Sequence, residues 1–169
     1  MENTIVIVDG VATATNDDPW NSVSLYNSSN LAAYEIISFV NWQEHLDSQP
    51  SQDPSKLGVS LQPDDDPAVL APWISTLPLI VLEFPSFRDG RAYTQAALLR
   101  TRYGFKGDLR AVGDVLRDQL AAMRHCGFSS FNVRKDKSAA DALKGLTGFD
   151  MIYARSVTNP EPLFRNRIL

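Results

Sequence analysis

The chain has 169 residues, 44% of them hydrophobic and 21% charged, and carries a formal net charge of −4. That is the profile of a globular domain large enough for a full core, and its acidic balance argues against general nucleic-acid binding. No apolar run approaches the ~20 residues that cross a bilayer, and the single cysteine, Cys126, excludes an intrachain disulfide and any cysteine-built metal or iron–sulfur site within one chain.

The start, Met1-Glu-Asn-Thr, lacks the basic region of a signal peptide, and Asp9 interrupts the short apolar run behind it, so the expected compartment is the cytoplasm. Ile5-Val-Ile-Val8 and Val11-Ala-Thr-Ala-Thr15 flank Asp9-Gly10, the pattern of a hairpin with a type I′ turn that caps a sheet edge or mediates assembly. Asn16 to Asn30, rich in Asn, Asp and Ser, reads as loop, with Trp20 and Tyr26 as anchors onto the body. Glu35 to Val40 predicts a strand, and Asn41 predicts a cap for a short helix to about Leu46, on which His45 is expected to be exposed. Ser48 to Ser55 reads as a polar linker and Lys56 to Leu61 as the next strand.

Asp64-Asp-Asp66 invites a metal reading, but Asp66 as N-cap with Pro67 at the first helical position is the better account. That helix runs to about Ile74, with Pro72 ending or distorting it. Leu79 to Phe84 is nearly all apolar, as in a strand buried on both faces, with Glu83 the exception. A helix over Ala92 to Tyr103 buries Ala92, Ala96, Leu99 and Tyr103 and turns Arg91, Arg100 and Arg102 toward solvent or a site.

Leu109 to Gly113 is strand-like, and Asp114 caps a helix through Cys126 that Gly127 ends in the left-handed conformation. Cys126, far from any helix N-terminus, reads as a structural thiol. Ser129 to Val133 predicts another strand, Ser138 caps a helix to about Leu146, and Phe149 to Ala154 predicts the last strand. The alternation predicts a single α/β domain over 1–169: a hairpin and loop to 34, a mainly parallel sheet of about six strands with flanking helices, and an extended tail from 157. An open doubly wound sheet is the first expectation and an incomplete (βα) barrel the alternative, since a full barrel takes ~200 residues or more.

Charged residues gather where such folds place their sites, beyond the strand ends. The expected constellation is Glu83, Arg88, Asp89 and Arg91 from one unit with Arg110, Asp114, Arg117 and Asp118 from the next. Guanidinium groups grip carboxylates or oxyanions bidentately, so these arginines suit a small anion or a protein partner. Glu83 or Asp89 is the acid/base candidate if the protein is an enzyme on a small anionic substrate. A third reading makes the whole motif a lattice of ion pairs that holds the βα units together. Dinucleotide-binding, Walker, nucleophile-elbow and His-rich metal motifs are absent, so no cofactor or metal is identifiable.

Three stretches carry a resemblance: Phe84-Pro-Ser-Phe-Arg-Asp-Gly-Arg-Ala-Tyr-Thr94, Leu98 to Gln119, and Met123-Arg-His-Cys-Gly-Phe128. They are similar to a bacterial family of unknown function whose genes accompany assimilatory sulfite reductase and whose members bear a provisional label of oxidoreductases in sulfite reduction. The close match runs from about Leu79 to Phe131; Ala92 stands where a glycine is expected and His125 where an arginine is expected. The resemblance implies an accessory role in sulfite reduction and sulfur assimilation, with sulfite reductase as partner. It brings no catalytic residues with it. Neither nucleic acid nor a membrane is expected as partner, and homo-oligomerisation is left open.

Overall fold

Alternating apolar runs and helical patterns settle into one seven-stranded sheet with helices against it. The structure is a computed structural model that describes residues 3–20, 34–48, 54–147, 153–162 and 165. Its strands are β1 (Thr4–Val8), β2 (Val11–Thr15), β3 (Glu35–Ser38), β4 (Leu57–Leu61), β5 (Leu79–Phe84), β6 (Asp108–Gly113) and β7 (Ser130–Asn132). Their order across the sheet is β2-β1-β7-β6-β5-β4-β3. β3 to β7 are parallel and adjacent in chain order, with Leu79 beside Asp108 and Val81 beside Arg110.

The order never reverses, so the sheet is wound in one direction and lacks the switch point of a doubly wound fold. It follows the order of a barrel segment but does not close. The hairpin caps the β7 edge: β1 pairs antiparallel with β7, and β2 with β1. Asp9 and Gly10 both take positive φ, 51° and 81°, as a type I′ turn demands.

One-way winding puts every helix on the same face. Ile37, Val59, Ile80, Leu82, Ala111 and Phe131 point there from the strands. They meet Trp42 of α1 (Phe39–Ser48), Ala96 and Leu99 of α2 (Arg91–Thr101), Leu120 and Met123 of α3 (Leu120–His125) and Ala142 of α4 (Ala139–Ala142). Strand side chains alternate in direction, so the other parity lines the opposite face: Ile36, Leu79, Val81, Ser60, Arg110 and Ser130, all buried. Trp20 packs there on Ile36, Leu79 and Val81, which confirms its anchoring role. Tyr26 lies outside the described residues.

Local expectations hold unevenly. Asp66 caps a helix as expected, accepting from the Ala68 N–H at 2.9 Å, but Pro67–Trp73 is a 3-10 helix with Pro72 inside it. β3 ends at Ser38 and α1 starts at Phe39; the Ser38 hydroxyl, not Asn41, accepts there, from the Asn41 N–H at 3.4 Å. His45 is buried beside the Trp42 ring, with centroids 6.4 Å apart, rather than exposed. The expected helix from Asp114 begins later, as a 3-10 turn over Arg117–Gln119 leading into α3. Gly127 takes φ +103°, the left-handed end that its position predicts. Among the described residues β3 to β7 run parallel; Tyr153 and Ala154 are not in a strand, and the rest of the expected strand Phe149–Ala154 lies outside the described residues.

Candidate functional site

Parallel strands bring their C-terminal loops to one edge, and there the predicted residues meet in part. β5 ends at Phe84 and its loop reaches α2 through Pro85 to Gly90. Asp114, in the loop after β6, accepts the Phe87 N–H at 2.8 Å with one oxygen and the Arg134 guanidinium at 2.8 Å with the other. Gln119 Nε2 donates to the Phe87 carbonyl across 3.5 Å. Both backbone polar groups of Phe87 are thereby held, while its ring stays 47% exposed. Arg88 beside it is exposed and makes no ion pair among the described residues.

Asp89 takes three N–H groups of one neighbour: the Arg91 backbone at 3.1 Å, Nε at 3.0 Å and an Nη at 2.7 Å. Hydrogen bonding to Arg91 holds the Asp89 carboxyl below its ordinary 3.8 and raises Arg91 further. Arg91 also pairs with Asp64, from the loop after β4. Arg134 donates to Asp136 at 2.6 Å, and that bond lowers the Asp136 carboxyl. Arg117 sits 3.5 Å from Asp141, which accepts from Lys144 at 2.9 Å and is lowered chiefly by that bond. Arg117, Asp118, Lys137 and Asp141 line a cavity of about 210 Å³ at this edge. The pairs run from loop to loop: β4 to β5 through Asp64–Arg91, β5 to β6 through Phe87–Asp114, β6 to β7 through Asp114–Arg134.

Two predicted members lie on the face of the sheet opposite the helices. Glu83, near the end of β5, accepts from the Ser60 hydroxyl at 2.8 Å. Arg110 sits mid-strand, 2% exposed, with Asp18 at 2.6 Å, Asp108 at 3.2 Å and the Ser130 hydroxyl at 3.0 Å. Asp108 also accepts from the Ser129 and Ser130 hydroxyls at 2.6 and 2.7 Å. This cluster fastens the segment before β3 to the sheet, so Arg110 does not join Arg91 at the loop edge. Asp114 is a bridge between loops instead of a helix cap, so the helix start expected at Asp114 is not there to add N–H donors.

Arg100, expected to face solvent or a site, lies partly buried at the opposite edge of the sheet. It donates to the carbonyls of Gly127, Phe105 and Gly107 at 2.8–2.9 Å. Burial lowers its pKa and raises that of the Cys126 thiol, in keeping with a structural cysteine.

The partners missed from sequence are Asp18, Asp64, Asp108, Asp136 and Asp141. Asp18 lies 92 residues from Arg110, beyond any local pattern. Asp136, two residues after Arg134, was the legible one. Among the described residues no group of three or more His, Cys, Asp or Glu could hold a metal ion, and no helix is long and apolar enough to cross a membrane.

No curated protein and no solved structure gives a significant match to the chain. A family model described as "Bacterial protein of unknown function (DUF934)" matches residues 58–164, from β4 through the loops that follow β4, β5, β6 and β7. The chain therefore belongs to this bacterial family of unknown function.

Proposed function

We propose that the protein is an accessory factor of assimilatory sulfite reduction that acts by binding, and that Phe87 and Arg88 form its docking point for sulfite reductase. The observation that carries the binding part is the Phe87 loop. An aromatic ring stands in water on a backbone fixed by Asp114 and Gln119, next to an arginine without a carboxylate. Rigid exposed aromatics and arginines are the residue types that dominate protein–protein binding energy. The sequence resemblance supports the choice of partner.

The ion pairs weigh against the other uses of this edge. Arg91, Arg117 and Arg134 already hold carboxylates, which favours a protein-interaction surface over an anion-binding one. Asp89, held by three N–H groups and lowered by Arg91, is a poor proton acceptor near neutral pH. The alternative, an enzyme acting on a small anionic substrate, then rests on Glu83 as acid/base beside Ser60.

The test is co-purification of sulfite reductase with the tagged protein from its native cells. The wild-type chain should retain the reductase and the Phe87→Ala/Arg88→Ala double variant should lose it. Equal retention by both, or none by the wild type, overturns the proposal.

A further inference from the structure

At the opposite edge of the sheet, where the parallel strands begin, lies a cavity of about 290 Å³. Its walls come from four places. Ile7 and the hairpin turn form one side, and Phe128 and Ser129 lead into β7 on another. Arg100 and Arg124 extend from the last turns of α2 and α3. Val157 and Thr158 close the remaining side. That last segment is fixed in place: the Val157 N–H donates to the His125 carbonyl at 3.0 Å, and Thr158 Oγ1 lies 3.2 Å from His125 Nδ1.

Among the described residues, the arginines of this cavity differ from the others in their surroundings. Arg91, Arg110, Arg117 and Arg134 each face a carboxylate. Arg88, Arg102 and Arg155 have none but are exposed, so water screens them. Arg100 and Arg124 are partly buried, line one cavity, and have no carboxylate partner among the described residues. Arg100 is held by carbonyl oxygens and by the Ser129 hydroxyl, which itself donates to Asp108, so the Asp108 charge partly offsets that of Arg100 without an ion pair. Arg124 makes no hydrogen bond or ion pair among the described residues. Among the described residues no acidic one lines the cavity. Two guanidinium groups beside the apolar walls of Ile7, Phe128 and Val157 give the cavity a positive potential next to an apolar surface.

We infer that this cavity binds a small amphipathic organic anion: one carboxylate or sulfonate head on Arg124, and an apolar body against Ile7, Phe128 and Val157. A guanidinium with free N–H groups grips such a head through charge-assisted hydrogen bonds. The volume lies at the small end of ligand pockets, which suits a compact aromatic body. The site lies at the opposite edge from Phe87 and Arg88, and its test is independent of partner docking.

The probe is anilinonaphthalene sulfonate, followed by fluorescence titration of the full chain and compared with its uncharged parent, phenylnaphthylamine. The wild type should bind the sulfonate saturably, one per chain, and bind the uncharged amine at least about tenfold more weakly. Arg124→Gln should weaken sulfonate binding by about tenfold or more with an unchanged thermal midpoint, and Arg124→Lys should restore part of it. The wild-type comparison stands even if a variant misfolds. Absence of saturable binding, equal affinity for charged and uncharged probes, or unchanged binding in a folded Arg124→Gln overturns the inference.

Discussion

The two edges of the parallel sheet use the same residue type for different ends. At the C-terminal edge, Arg91, Arg117 and Arg134 pair with aspartates within a loop or across to another, so their charge is spent inside the fold, while Arg88 stays exposed without an ion pair among the described residues. At the N-terminal edge, Arg100 and Arg124 line one cavity without an ion pair among the described residues, and Asp108 reaches Arg100 through the shared Ser129 hydroxyl. A count of arginines treats both edges alike. Only the identity of each guanidinium's partner separates a charge that holds loops together from one that is open to a ligand, and it moves the anion-binding expectation away from Arg91 and Arg110.

The comparison breaks most visibly at Arg110, the buried extreme of the paired class. Removing it leaves Asp18 and Asp108 without their cation on a face where Arg110 itself is 2% exposed. Arg110→Ala should cost about 3–5 kcal/mol, the usual cost of breaking a buried pair, read from urea unfolding. A loss below about 1 kcal/mol would place this pair with the solvent-screened ones.

Gly127 probes the other edge. At φ +103° a Cβ would sit 2.5 Å from Arg100 Cγ and 3.0 Å from Val157. Gly127→Val should destabilise by roughly 1–3 kcal/mol through backbone strain, and should weaken probe binding because it displaces two walls of the cavity. An unchanged midpoint in thermal unfolding contradicts the assignment.

Acid should separate the edges without any mutation. Asp89, Asp136 and Asp141 are each held below 3.8 by a basic neighbour. A carboxyl lowered by folding adds stability above its ordinary value, and that stability is lost as pH falls through the folded-state value. As pH falls through the folded-state value of Asp89, which lies below 3.8, the Arg91 N–H that donates to Asp89 should lose its hydrogen-exchange protection. The Val157 N–H, which donates to a carbonyl, should keep its protection. Loss of both together indicates global unfolding and no difference between the edges. The smallest effect belongs to Arg91→Ala: its ion pairs are exposed, so the midpoint of unfolding should stay near the wild-type value. A large drop would make the exposed lattice a main source of stability.

The sequence carried the sheet better than the site. β5, α2 and β6 followed from a continuous apolar run, a 3.6-residue period and a second run, all signals within about ten residues. Asp-Gly between β-prone runs located the hairpin, because few dipeptides tolerate two positive φ values. Spatial grouping of side chains was harder. Glu83 and Arg110 were read as edge residues from their place near strand ends, but strand parity turns both to the face opposite the helices. Asp114 looked like a cap because it precedes a helical pattern; its oxygens are taken by Phe87 and Arg134, 27 and 20 residues away in the chain. Arg100 looked solvent-facing from periodicity, which ignores that a long side chain can lie along a buried surface and use its head on carbonyls.

The central claim is that the protein acts by docking through the Phe87 loop, and site-specific photocrosslinking tests it most directly. A benzophenone side chain placed at Phe87, in native cells, should crosslink the protein to sulfite reductase. The same group at Val40, 63% exposed on α1, serves as the control and should give no crosslink to the reductase. No reductase crosslink from Phe87, or equal crosslinking from both positions, would contradict the account.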